Sequence, residues 1–219
     1  MKLFHYHWWT DKIEEMEQWY TQAGFQTKLR IGRHRGEMKE FNPPLTWEEF
    51  RKEGIRFRII EMVKGQVNVT FGQGKRDQFD HIGFLVSDEE YDRVIGQAVR
   101  VGWDLRKGER RTFIATPWRF RVELQRRSDA VEQDTLPYVH KMTIEINDFT
   151  HLSDLAVVLG AHMTVKGDTL RHPTFDLQFI YGESTKMKQI DIIGLAAADI
   201  DPVSVKVVSG RREEDTASV

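Results

Sequence analysis

A strand, helix, glycine, strand signature recurs three times along this chain, and a histidine sits on each opening strand. The middle copy is clearest: Asp80-His81-Ile82-Gly83-Phe84-Leu85-Val86 runs into Ser87-Asp88-Glu89-Glu90, a helical stretch follows, and Gly102-Trp103 ends it. That copy closes on Phe120-Arg121-Val122-Glu123-Leu124, a strand carrying a carboxylate. A helix covers only one face of such a short sheet, so units of this kind must pair to bury the rest, and pairing leaves a shared concavity where ligands bind. Histidine on the first strand and glutamate on the last are two ingredients of a divalent metal site.

The grammar is the same in each copy. In the first, Leu3–Trp9 reads as a strand, Asp11 with Glu14 as a capping box, and Ile13, Met16, Tyr20 and Ala23 as one helical face stopped by Gly24. In the second, Ser87 and Glu90 form the box and Gly102 the stop; in the third, His140–Ile146 leads through Leu152, Leu155, Val158 and Leu159 to Gly160. Short strand-like runs follow each helix: 55–62 and 66–71, then 111–115 and 120–125, then 175–181 and 188–193. The first copy also contains an insertion, Asn42-Pro43-Pro44-Leu45-Thr46-Trp47, whose end starts a short helix. The expected fold class is α+β, with repeated βαβββ modules pairing into a cupped, partly open, barrel-like sheet and helices outside. The expected organisation is paired modules at 1–75 and 78–127, a third module at 136–195, and a C-terminal extension with a polar tail at 196–219.

Composition narrows the partners. A formal net charge of -2 with charges of both signs interspersed argues against nucleic acid and anionic membrane. With no cysteine there are no disulfides and no sulfur ligands, so any metal must sit on nitrogen and oxygen. The N-terminal run carries two histidines where a signal peptide would be apolar, and no stretch approaches the roughly 20 apolar residues of a membrane span. A cytoplasmic location is expected.

The βαβββ module, the Asp80–Asp88 run and Arg121-Val122-Glu123-Leu124 resemble the vicinal oxygen chelate superfamily, which includes glyoxalase I, extradiol dioxygenases and bleomycin resistance proteins. The resemblance implies two modules curled around a metal held by first-strand and last-strand residues. Carried over, it places His81 and Glu123 as ligands. Aligning Asp11 with Ser87 adds His5, whereas aligning it with Asp88 gives Phe4, which cannot bind metal. Asn68 or Thr70 fills the last-strand position of the first module, and neither is a usual strong ligand.

The implied set is His5, His81 and Glu123, with His7 as a substitute for His5 or as a base. Two imidazoles and a carboxylate with open positions favour Fe(II); Mn(II), Ni(II) and Zn(II) are alternatives. By strand parity Arg119 and Arg121 share the face of Glu123 and can hold an anionic substrate group, or simply neutralise the carboxylate. A competing geometry pairs the second and third modules around His81, Glu123, His140 and Asp191, as in glyoxalase I. Otherwise the third module serves a homodimer. The function implied is a metal-dependent, dioxygenase-like enzyme acting on a small oxygen-rich molecule; the rivals are a glyoxalase-like lyase or isomerase and a metal-free sequestering protein of the bleomycin-resistance type.

Overall fold

The computed structural model describes residues 1–196 and 199–210. The first half runs β1 (Lys2–Thr10), α1 (Ile13–Gln22), β2 (Gln26–His34), β3 (Glu37–Glu40), α2 (Trp47–Phe50), β4 (Arg56–Lys64), β5 (Val67–Gln73), then β6 (Gln78–Leu85), α3 (Asp88–Arg100), β7 (Leu105–Lys107), β8 (Arg111–Ala115) and β9 (Arg121–Gln125). These nine strands form one sheet in the order β3-β2-β4-β5-β1-β6-β9-β8-β7. The two opening strands therefore lie side by side at its centre.

The second half runs β10 (Tyr138–Ile146), α4 (Leu152–Leu159), β11 (His162–Met163), β12 (Thr169–His172), β13 (Phe175–Tyr181), β14 (Lys186–Ile193), β15 (Asp199–Ile200) and β16 (Lys206–Gly210). Its sheet has the order β11-β12-β13-β10-β14-β16-β15. One apolar core joins both halves, with Phe84 against Phe175 and Trp118 against Phe179. The α+β architecture of cupped, unclosed sheets with helices outside is the one the repeat predicts.

Local chemistry explains the helices unevenly. Ser87 caps α3 in a full capping box with Glu90, and Val94 and Ala98 form its buried side. Thr46 and Glu49 do the same for α2. Asp11 does not cap α1: the N-cap is Lys12, without a side-chain bond. Gly160 ends α4 at φ 66°, a left-handed conformation that glycine adopts without strain.

The register corrects the reading of the third module. In each module the last strand runs parallel to the first: β5 beside β1, β9 beside β6, and β13 beside β10. β14 instead pairs antiparallel with β10, as β6 does with β1. It therefore opens a fourth module whose last strand, β16, lies parallel to it. β14 ends at Ile193 and β15 begins at Asp199, a span too short for the helix that the other modules carry. Asp191 thus belongs to an opening strand. The extension expected from 196 supplies β15 and β16, including Ser209 and Gly210; the polar tail from 211 lies outside the described residues.

The correspondence holds residue by residue. His7 faces His81 and His5 faces Gly83, with Phe4 and Asp80 each skipped as an extra residue. Thr143 faces Gln189 and Lys141 faces Asp191, with His140 and Lys188 skipped in the same places.

Candidate metal centre

β1, β6 and β9 bring three side chains to one point. The ligand atoms of His5, His81 and Glu123 lie within 4.8 Å of one another, and this is the one such group among the described residues. His5 Nε2 is 3.0 Å from His81 Nε2, which is 3.1 Å from Glu123 Oε2. All three residues are buried.

The outer partners fix the ring nitrogens. His5 Nδ1 lies 2.8 Å from Asn68 Oδ1 and 3.1 Å from the Asn68 carbonyl, both acceptors, so Nδ1 carries the proton. His81 Nδ1 lies 2.7 Å from an Asp80 carboxylate oxygen and donates likewise. With both imidazoles neutral, two unprotonated Nε2 atoms and a carboxylate oxygen face one another. The centre needs a cation, either a proton on His81 Nε2 or a metal ion. Separations near 3.0 Å suit neighbouring ligand positions around an ion about 2.1 Å from each. A histidine that donates its second nitrogen to a carboxylate is the usual outer arrangement of a metal-bound imidazole. The donor set fits a divalent ion.

Charge states agree. Burial, first, and the neighbouring His81 lower His5 to about 4 against the pull of Glu123, so its imidazole is neutral at neutral pH. Burial alone would raise Glu123, but the His81 hydrogen bond and the charges of His5, His81 and Arg111 outweigh it and hold the carboxyl at about 2. Asp80 likewise sits well below the usual range, burial being overcome by His81, His7 and Arg121.

The remaining expected residues fall in different places. Arg121 binds the Asp80 carboxylate and lies 4.4 Å over the Phe113 ring. Arg119 is not with Glu123: β9 begins only at Arg121, and Arg119 occupies the preceding turn, exposed, at φ 68°. Its place beside Glu123 is taken by Arg111 of β8, whose Nη1 is 3.2 Å from Oε2. His7 stands next to the trio, stacked on His81 at 4.9 Å with Nδ1 2.5 Å from Thr70 Oγ1. His140 lines a separate cleft of about 790 Å³, so the four-residue alternative with Asp191 does not assemble. Asn68 and Thr70, expected at the last-strand position of the first module, hold the His5 and His7 rings by hydrogen bonds; Asp80 and Arg111 are the supporting residues that sequence reasoning missed.

No protein-family model matches the chain, and no curated protein matches it in sequence. Solved structures do match in fold. The 2,3-dioxygenase LapB from Pseudomonas sp. KL28 aligns with a TM-score of 0.63 at 13% identity, over 96% of this chain and 92% of that one. Homoprotocatechuate 2,3-dioxygenase from Arthrobacter globiformis gives 0.61 at 10%, over 94% and 78%. A mutant of 4-hydroxymandelate synthase from Streptomyces coelicolor gives 0.61 at 10%, over 88% and 71%. The chain has the vicinal oxygen chelate fold.

Within that fold the second half has lost the ligand set. Matching registers put Lys141 where the first half has His5 and Gln189 where it has His81. Val208, opposite Asp191, stands where Glu123 stands opposite Gly83. Among the described residues the His-His-Glu cluster is confined to the first half.

Proposed function

We propose that this protein is a metal-dependent enzyme of the vicinal oxygen chelate type, a dioxygenase acting on a small oxygen-rich substrate that chelates the ion. The observation that carries this reading is the meeting of two imidazole nitrogens and a carboxylate oxygen, with both rings turned by their outer partners so that Nε2 faces the common point. His5, His81 and Glu123 would hold the ion. Two nitrogens and one oxygen leave positions open and favour Fe(II), with Mn(II), Ni(II) and Zn(II) as weaker fits. When bound, such an ion supplies Lewis acidity toward the substrate oxygens and, if iron, electrons toward dioxygen.

The chain's own residues do the rest. Asp80 keeps the His81 ring in the tautomer that presents Nε2, and Asn68 does so for His5. Arg111 shares the charge of Glu123. Phe113, edge-on to His81 at 5.1 Å, offers a flat wall for an aromatic diol or an oxo acid, and Arg121 above it can pair an anionic substituent. The solved structures of similar fold include 2,3-dioxygenases, which supports a dioxygenase reading.

The test is metal content of the purified protein and of Glu123→Ala, followed by oxygen uptake with catechols under Fe(II). We expect about one ion per chain, loss of it in the variant, and uptake by the wild type alone. Equal metal in both would reject the ligand set. Metal binding without oxygen uptake would shift the assignment to the lyase or isomerase class.

A further inference from the structure

Away from the histidines, a cavity of about 500 Å³ opens in the seam where β6 of the first half meets β14 of the second. Trp8, Phe79, Met187 and Val203 line it with buried apolar surface. Arg76, Lys186, Lys188, Ser184 and Ser204 line it from exposed positions. Its one acid, Asp77, is already engaged: Lys12 Nζ lies 2.7 Å from one carboxylate oxygen and the Thr10 hydroxyl 2.6 Å from the other. Lys188 has a loose partner in Glu145 at 3.7 Å. The lining is therefore cationic in sum, with hydroxyls at the rim.

Trp8 supplies the second, independent observation. It is 4% exposed, and its indole N–H finds no acceptor among the described residues. A buried donor without a partner is costly, and Trp8 is among the residues that line the cavity, so an acceptor brought there can meet its indole. Apolar floor, buried donor and cationic rim together define a ligand.

We propose that this cavity is a second binding site, separate from the metal centre, for a small molecule that carries an anionic oxygen group on an apolar body. The body lies on Phe79, Met187 and Val203. The anionic group takes the Trp8 N–H and the charges of Arg76, Lys186 and Lys188. Phosphate esters and carboxylates share this chemistry.

The test is a titration of the 15N-labelled full chain with phenyl phosphate, followed by the indole N–H resonances in two-dimensional NMR, with Trp8→Phe identifying the Trp8 signal. That signal should move and saturate at one ligand per chain. Lys186→Glu combined with Lys188→Glu, both at exposed positions, should weaken binding by about tenfold or more. Glu123→Gln should leave the affinity within roughly twofold, since it alters only the metal centre. Phenylacetate in the same titration separates the sources, the tighter ligand naming the head group and saturation by either supporting the site. Inorganic phosphate should bind more weakly than phenyl phosphate; equal affinity would overturn the role given to the apolar floor. A Trp8 signal unmoved by about 10 mM of both aromatic anions would overturn the site itself, as would binding that survives the double charge reversal or vanishes in Glu123→Gln.

Discussion

At Gly83 the chain permits an approach that no other residue would. A Cβ there would meet His5 Cβ at 2.9 Å and His5 Cδ2 at 3.0 Å, and the His5 ring, fixed on its other side by Asn68, has nowhere to retreat. Gly83→Ala should therefore lower metal affinity by about tenfold or more while leaving the far-ultraviolet circular dichroism unchanged; a metal titration with unaltered affinity would refute the contact. Asp80 acts on the other imidazole. Asp80→Asn removes the charge that favours the donating His81 Nδ1–H, and metal affinity measured by calorimetry should fall by about 10–100-fold. His5 itself was legible only through a mistaken premise. The alignment that selected it took Asp11 as a helix cap, yet the cap is Lys12, and counting from Lys12 would have pointed to Tyr6. What brings His5 to His81 is the pair of skipped residues, Phe4 and Asp80, which offset two neighbouring strands; hydrophobic alternation carries no mark of such a bulge.

At the scale of elements, the insertion between β2 and β4 is held over the first sheet by one buried carboxylate. Glu17 of α1 accepts from Arg30 Nε at 2.9 Å and 3.0 Å, from the Trp47 indole at 2.9 Å and from Thr27, while Arg30 Nη1 donates to the Phe41 and Leu45 carbonyls. Both charged side chains are nearly sealed from solvent, at 8% and 4% exposure. Removing one partner leaves the other buried and unpaired, so Glu17→Ala should cost about 3–5 kcal/mol in denaturant unfolding; a loss below about 1 kcal/mol would show that the clasp is incidental. Glycine stops and capping boxes announced α3 and α4 because those signals are local. Strand partners are not local. Lys188–Ile193 reads the same whether it closes one module or opens the next, and only the antiparallel pairing with β10 decides. Arg119 failed for a related reason: parity presumes an unbroken strand, and a residue at positive φ precedes β9.

For the whole molecule, near-matching halves with one ligand set imply a metal stoichiometry of one per chain, and a value near two on elemental analysis would overturn the equivalence of Lys141, Gln189 and Val208 with the trio. The halves are also joined by a titratable group. Asp201, 3% exposed, lies in the turn before β16, accepts the Val203 and Val205 amides at 3.1 Å and 2.8 Å, and faces the Tyr20 hydroxyl of α1 at 3.4 Å. Burial, the largest influence, raises its carboxyl to about 7 despite those hydrogen bonds. In the unfolded chain the same group titrates near about 3.9. Between these values the folded state keeps a proton that the unfolded state has released. Stability therefore falls as pH rises across this window, and it levels off once the folded group also ionises. The contribution is fully present below about pH 4 and lost above about pH 7. Asp201→Asn keeps an acceptor for both amides but cannot ionise, so its Tm relative to wild type should climb by a few degrees between about pH 5 and pH 7. Parallel Tm profiles for the two proteins would show that Asp201 is ionised throughout and that its burial is incomplete.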